Sequence, residues 1–183
     1  MAMFLGECTC SSDPSSPVPS VVLTLYADAT GHGTLAWVAE GLSRRVFSRG
    51  FVPEPLRQWV HQRRKQIATW ELVAALCAVW YFLKSPARLS ACHLQINLFI
   101  DSHVALGTLL RGTSRQSDWN DLVTGIWFEA AAQAALLLAW RVPSKLNLAD
   151  APARPEKRAS QLCALINRGF VETEWWWPPH SPW

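Results

Sequence analysis

No apolar run in the 183-residue sequence comes near the roughly 20 residues that a bilayer crossing needs. The runs Leu72–Leu83 and Ala134–Trp140 read instead as core, and no membrane partner is expected. The opening Met1-Ala2-Met3-Phe4-Leu5-Gly6-Glu7 puts no basic residue ahead of a long apolar stretch, so it does not read as a secretory signal. An intracellular setting is expected, with cytoplasm and nucleus not distinguished. Cysteine is sparse: the five residues have no regular spacing, which excludes a disulfide framework, and two fall in apolar helical patterns where a reduced thiol packs as a small hydrophobe. Cys8-Thr9-Cys10 lacks a second ligand pair, and the adjacent Cys92-His93 would point to opposite faces of a strand, so neither reads as a metal site. Charge is also scarce, at 17% against 50% hydrophobic residues, which marks a globular chain rather than a disordered one. The net charge of +3 is compatible with a polyanionic partner without requiring one.

A chain of this length holds one domain with tails. Residues 1–19 are rich in Ser and Pro and read as a flexible leader, residues 20–155 as the folded domain, and residues 156–183 as a C-terminal helix with a Trp/Pro-rich tail. Val21–Tyr26 is β-branched and apolar and leads into Asp28 and a turn of small residues, so it reads as a first strand. Leu35–Val38 and Arg45–Phe47 predict two more short strands joined through Glu40-Gly41 in an antiparallel meander, after which Pro53 and Pro55 interrupt.

From Ile67 the period becomes helical, and Glu71 falls on a face with Ala74, Ala75 and Ala78. Small residues let a helix approach a sheet closely, which would hold that carboxylate near strand ends. Leu94, Ile96, Leu98 and Ile100 alternate on one strand face, with Asp101 at its end and Ser102 positioned to cap a helix. The pattern predicts a long helix over 118–138, a last strand over 139–142, a loop over 143–147, and a helix with Leu162, Leu165 and Ile166 inward that Gly169 ends. A meander followed by a helical crossover delivers the next strand parallel to an earlier one. The expected class is therefore α/β, a mixed sheet with helices packed on it.

In such sheets sites form beyond the carboxyl ends of parallel strands, where Asp28 and Asp101 would lie. Glu71 and Asp150 could converge on the same point. Four carboxylates repel unless cations hold them, and hard divalent cations with oxygen ligands meet that need. Two such ions about 4 Å apart can activate a water and stabilise the leaving oxygen of a phosphodiester. Each carboxylate also has a plain structural reading: a turn for Asp28, a helix N-terminus for Asp101 and Asp150. Glu71 on an alanine-rich face has none.

Over residues 20–155 these features resemble the ribonuclease H family, and more closely its retroelement, reverse-transcriptase-associated form. Tyr26-Ala27-Asp28-Ala29-Thr30-Gly31 resembles the first-strand motif, Thr69–Leu76 the glutamate helix, and Phe99-Ile100-Asp101-Ser102 the second aspartate motif. Val142–Pro152, with Asp101–Gly107, is the most specific part and resembles the retroelement version of the last motif. The resemblance implies a ribonuclease H-like fold, cleavage of the RNA strand of RNA–DNA hybrids, two Mg²⁺ ions with Mn²⁺ as a substitute, and metal-binding catalytic carboxylates at Asp28, Glu71, Asp101 and Asp150. It also implies that Asn147 orders the loop bearing Asp150. Apart from the resemblance, the basic residues Arg63, Arg64 and Lys65 join Asn147 as nucleic-acid-binding candidates. A reverse transcriptase domain is the expected neighbour.

One departure is plain: Trp140–Leu148 contains no histidine, where many cellular members carry one before the last aspartate. His32 and His103 stand beside the candidate carboxylates, although turn and strand-end histidines are usually just solvated. Two rivals are set against the hybrid nuclease: a decayed domain that keeps the fold and binds nucleic acid or a partner without cutting, and an integrase-like nuclease. The basic run from Arg44 to Lys65, interleaved with Trp59 and His61, suits phosphate contacts or an ordinary solvated surface. The Trp175–Trp177 cluster is expected to dock on the domain.

Overall fold

The computed structural model describes residues 20–84 and 93–178. The leader over 1–19, and Cys8, Cys10 and Cys92, lie outside the described residues. β1 (Ser20–Ala29), β2 (Thr34–Gly41) and β3 (Arg44–Phe51) form the expected antiparallel meander, with strands longer than their hydrophobic runs. The β2–β3 turn is not at Glu40-Gly41 but at Leu42 and Ser43, both at positive φ, which suits the twist of a two-residue hairpin. Pro53 and Pro55 start a short helix rather than merely interrupting: α1 (Glu54–Trp59) carries Pro55 in its first turn, where a missing N–H costs nothing.

α2 (Ile67–Lys84) crosses over to β4 (His93–Ile100), which pairs in parallel with β1. α3 (His103–Arg111) and α4 (Ser117–Ala132) follow, and β5 (Leu136–Arg141) adds in parallel to β4. The chain then passes through a 3₁₀ turn (Ser144–Leu146), α5 (Asp150–Ala153) and α6 (Ala159–Asn167) to the two-residue β6 (Val171–Glu172). The strand order is β5-β4-β1-β2-β3-β6, a mixed sheet with helices packed on it.

Alternation along the central strands divides the interior. Leu23, Leu25, Ala27 and Ala29 of β1 face a main core against α2 and α4, while Tyr26 faces a smaller cluster of Val38, Phe47, Ala149, Ala151, Leu165 and Phe170 under α5 and α6. α2 is buried almost all round, between the sheet and α4. By length and composition alone it could cross a membrane, yet most of it is inside the protein. Cys77 packs within it, and burial pushes its thiol well above the ordinary range. Cys163 is exposed, so the reading of both helical cysteines as packed holds for Cys77 alone.

The long helix expected to run to Leu138 ends at Ala132. Nothing in the alanine-rich run Ala130–Ala135 breaks a helix locally, but Ala134 adopts a left-handed φ of 50°, and Ala135 closes back onto the Ala130 carbonyl at 2.9 Å. Leu136–Leu138 is thereby released to pair with Gln95–Asn97, and that pairing overrides helix propensity. In α6, Leu165 is buried as expected but Ile166 is half exposed, and Gly169, at φ 85°, follows the helix end.

Beyond residue 155 the chain continues into the same sheet. β6 pairs with β3, the Thr173 amide donates to the Phe47 carbonyl at 2.8 Å, and the Ser48 hydroxyl donates to the Thr173 carbonyl at 2.8 Å. Trp175 and Trp177 dock on the main core as expected. Trp175 lies on the bare backbone of Gly50, where a Cβ would come within 2.7 Å of its ring. Gly50→Ala should therefore cost roughly 1–3 kcal/mol, the usual penalty for overpacking a fitted contact. Thermal denaturation measures it, and an unchanged midpoint would mean that the tail does not rest on β3.

Candidate metal centre

The parallel register of β1 and β4 pairs Ala27 with Ile100, so Asp28, still within β1, and Asp101, the first residue past β4, lie side by side. Alternation puts both on the Tyr26–Phe99 face, where those two rings stack at 5.0 Å. α2 brings Glu71 to the same end. One carboxylate oxygen from each of Asp28, Glu71 and Asp101 lies within 4.8 Å of the others. Asp28 and Glu71 are buried, at 1% and 2% exposure.

Glu71 Oε2 accepts from the Ser102 backbone amide at 3.2 Å, and the Ser102 hydroxyl caps α3 by accepting from the Ala105 amide. A single turn thus starts α3 and orients the glutamate. Asp101 Oδ1 is buried and has no hydrogen-bond partner among the described residues. A native fold seldom leaves such an oxygen without a partner, and a cation is the partner that three converging carboxylates would share. The donor set, all hard oxygens and acidic, fits a divalent cation such as Mg²⁺.

Burial, reinforced by Asp101 and Asp28, pushes the Glu71 carboxyl up to about 9 against the pull of the Ser102 amide. Burial also raises Asp28, to about 6, with Arg154 opposing and Asp101 adding repulsion. Both groups therefore keep protons in the fold at pH values where the unfolded chain has lost them. The contribution of these two groups to the stability of the metal-free protein is fully present below the ordinary carboxyl values and is lost as pH rises through about 6 for Asp28 and about 9 for Glu71. The metal-free melting temperature should fall between about pH 5 and about pH 9, Glu71→Gln should flatten the fall, and Mg²⁺ should offset it. A metal-free midpoint that rises over that interval would contradict the clustered carboxylates.

Asp150 is not a member of this cluster, but Arg154 links it to Asp28. It opens α5, and both its oxygens carry arginines: Arg154 on Oδ1 and Arg158 Nε on Oδ2 at 2.8 Å. Arg154 also reaches Asp28 Oδ2 at 2.8 Å and the Ala29 carbonyl at 3.1 Å. The sequence expects Asp150 as a fourth carboxylate of the site but does not anticipate these arginines, although Asp150 and Arg154 are four apart, the spacing at which such pairs meet on a helix.

Asn147 is buried and faces inward, its amide donating to the Ala27 carbonyl at 3.0 Å and its oxygen accepting from the Ala149 amide at 3.2 Å. It orders the loop before Asp150, and at 4% exposure it presents almost no surface to a nucleic acid. Arg63 is likewise corrected. Its guanidinium grips Asp118 through two bonds, of 2.5 and 2.8 Å, and lies 4.9 Å over the Trp119 ring. Arg45, Arg49 and Arg57 are also engaged, with Glu40, Glu172 and the His32 carbonyl. Arg64 and Lys65 are exposed, and among the described residues no ion pair holds them.

No family model matches the chain, and no curated protein matches its sequence. Solved structures do. The N-terminal RNase H domain of a Mycobacterium tuberculosis protein, solved as a fusion with maltose-binding protein, superposes with a TM-score of 0.51 at 14% identity, over 79% of this chain and 98% of that one. RNase H1 of the archaeon Halobacterium salinarum gives 0.49 at 14% identity, over 75% and 99%. An RNase H1 isolated from compost by a metagenomic approach gives 0.41 at 9%, over 82% and 97%. At such identity the first of these likenesses speaks for architecture only, and what it establishes is that this chain has the ribonuclease H-like α/β fold.

Proposed function

We propose that the chain is a metal-dependent endonuclease that hydrolyses the RNA strand of RNA–DNA hybrids, of the retroelement type and working beside a reverse transcriptase domain. The observation that carries the reading is the convergence of Asp28, Glu71 and Asp101 around a buried Asp101 oxygen that has no partner among the described residues, at the end of the sheet in a ribonuclease H-like fold. The retroelement assignment rests on the motifs Asp101–Gly107 and Val142–Pro152.

A divalent cation, Mg²⁺ by preference and Mn²⁺ as a substitute, would supply activation of a water and stabilisation of the leaving oxygen. The chain's own residues fix the geometry. Strand register sets the spacing of Asp28 and Asp101, the Ser102 amide aims Glu71, and Asn147 holds the loop that presents Asp150. Arg64 and Lys65 stand free to meet phosphates, and such contacts bring affinity without base preference. Replacing both by Ala should weaken hybrid binding and lower the slope of log K against log salt by about 1–2. An unchanged slope in a salt titration would return the pair to the solvated surface.

A second reading, a nucleic-acid-binding module that does not cut, is favoured by one observation: both oxygens of Asp150 are already paired with arginines. The assay that separates the two is incubation with a labelled hybrid and Mg²⁺. Scission of the RNA strand supports the nuclease, and tight binding without scission supports the module.

A further inference from the structure

The arginine between Asp28 and Asp150 is unusual in its placement. Arg154 Nη1 touches Asp28 Oδ2 and Asp150 Oδ1 together, and Nη2 donates to the Ala29 carbonyl. Arg154 thereby places its positive charge between one oxygen of each of these two carboxylates, where a second cation shared by Asp28 and Asp150 would otherwise be drawn. Asp28 is 1% exposed and Asp150 8%, so neither charge can rely on water for compensation. Backbone geometry fixes the arrangement: the Arg154 amide closes α5 on the Asp150 carbonyl, and Asn147 ties the preceding loop to β1.

We propose that Arg154 is a built-in cation that fills the place of a second divalent ion. The free protein therefore binds one divalent cation, in the Asp28–Glu71–Asp101 cluster, and admits a second only when the guanidinium leaves Asp28 and Asp150. There is room for that movement. Arg154 borders an open cavity of about 610 Å³, lined also by Thr30, His32, Arg49 and Lys157, and its side chain is 28% exposed toward solvent. A guanidinium is matched to phosphate as well as to carboxylate, so a nucleic-acid backbone entering that cavity offers it an alternative partner. The proposal rests on the metal-dependent reading above and deepens it by assigning the number of ions held at rest.

The test is a Mn²⁺ titration of the full chain without nucleic acid, followed by calorimetry and by the spin-resonance signal of free Mn²⁺. The wild type should bind one ion, while Arg154→Ala and Arg154→Gln should bind two, the second at least about tenfold tighter than any second binding to the wild type. The Ala variant should melt lower than the wild type without metal and recover with Mn²⁺, because the ion then replaces the lost charge. Two comparable ions in the wild type overturn the proposal, as does a variant that still binds only one. Should both variants fail to fold, the wild-type count decides: one ion sustains the proposal and two reject it. Absence of any binding in folded wild type and variants alike instead sinks the metal-dependent reading itself.

Discussion

Asp101→Asn should leave the fold intact and reduce cleavage of an RNA–DNA hybrid by about a thousandfold or more, equivalent to about 4 kcal/mol of transition-state stabilisation. The amide keeps the shape of the carboxylate but loses the charge, and one oxygen of that carboxylate is the buried atom with no partner among the described residues. Removing that charge also relieves the repulsion felt by Glu71 and Asp28, for both of which Asp101 is a cause of the raised carboxyl value. The variant should therefore melt higher than the wild type when metal is absent and gain less from added Mg²⁺. Full activity would remove Asp101 from the site, and a lower metal-free midpoint would argue against mutual repulsion in the cluster.

Asp118→Ala should be the most damaging single change to stability outside the apolar core. Asp118 is 2% exposed at its side chain and Arg63 17%, so truncating the aspartate leaves a largely desolvated guanidinium without its partner. The loss should be about 3 kcal/mol, or roughly 6–12 °C in melting temperature for a chain of this size. Burial alone would raise the Asp118 carboxyl, but hydrogen bonds from Arg63 and the His61 amide outweigh it and hold the group below its ordinary value. Its stabilisation is present at neutral pH and is lost as pH falls, the opposite sense to Glu71. Pairing Asp118→Leu with Arg63→Met should recover much of the loss, because no buried charge is then left alone. Equal damage from the double variant would mean that the pair contributes through something other than compensated charge.

The consequences of Asp118 reach the site. The His61 amide donates to it, and neighbouring Trp119 donates from its indole to Thr69 at 2.9 Å, two residues before Glu71. This clamp fixes the entry to α2 and leaves Arg64 and Lys65 outward.

What the sequence disclosed depended on how local each signal was. Alternation in Leu94–Ile100, the helical period through Glu71, and the capping serine Ser102 are properties of a few adjacent residues, and each appears in the structure where its pattern placed it. The end of α4 was not legible, because Leu136–Leu138 becomes strand only through β4, some 40 residues earlier in the chain. Arg63 illustrates the limit for function. Its neighbours Arg64 and Lys65 share its charge and its place in the basic run, but only the approach of Asp118, 55 residues onward, turns it from surface to structure. The carboxylate cluster was legible in identity, since three of its four expected members converge. The fourth, Asp150, was recognisable by motif, but its pairing with Arg154 and Arg158 was not.

The most direct measurement is cleavage by the purified chain with Mg²⁺, using a hybrid whose RNA strand is labelled at one end, an all-DNA duplex and single-stranded RNA of the same sequence. The account predicts scission of the RNA in the hybrid alone, leaving 3′-hydroxyl and 5′-phosphate ends, and none where 2′-deoxy residues surround the cut. Equal cutting of the DNA duplex, or 2′,3′-cyclic phosphate ends, would contradict it.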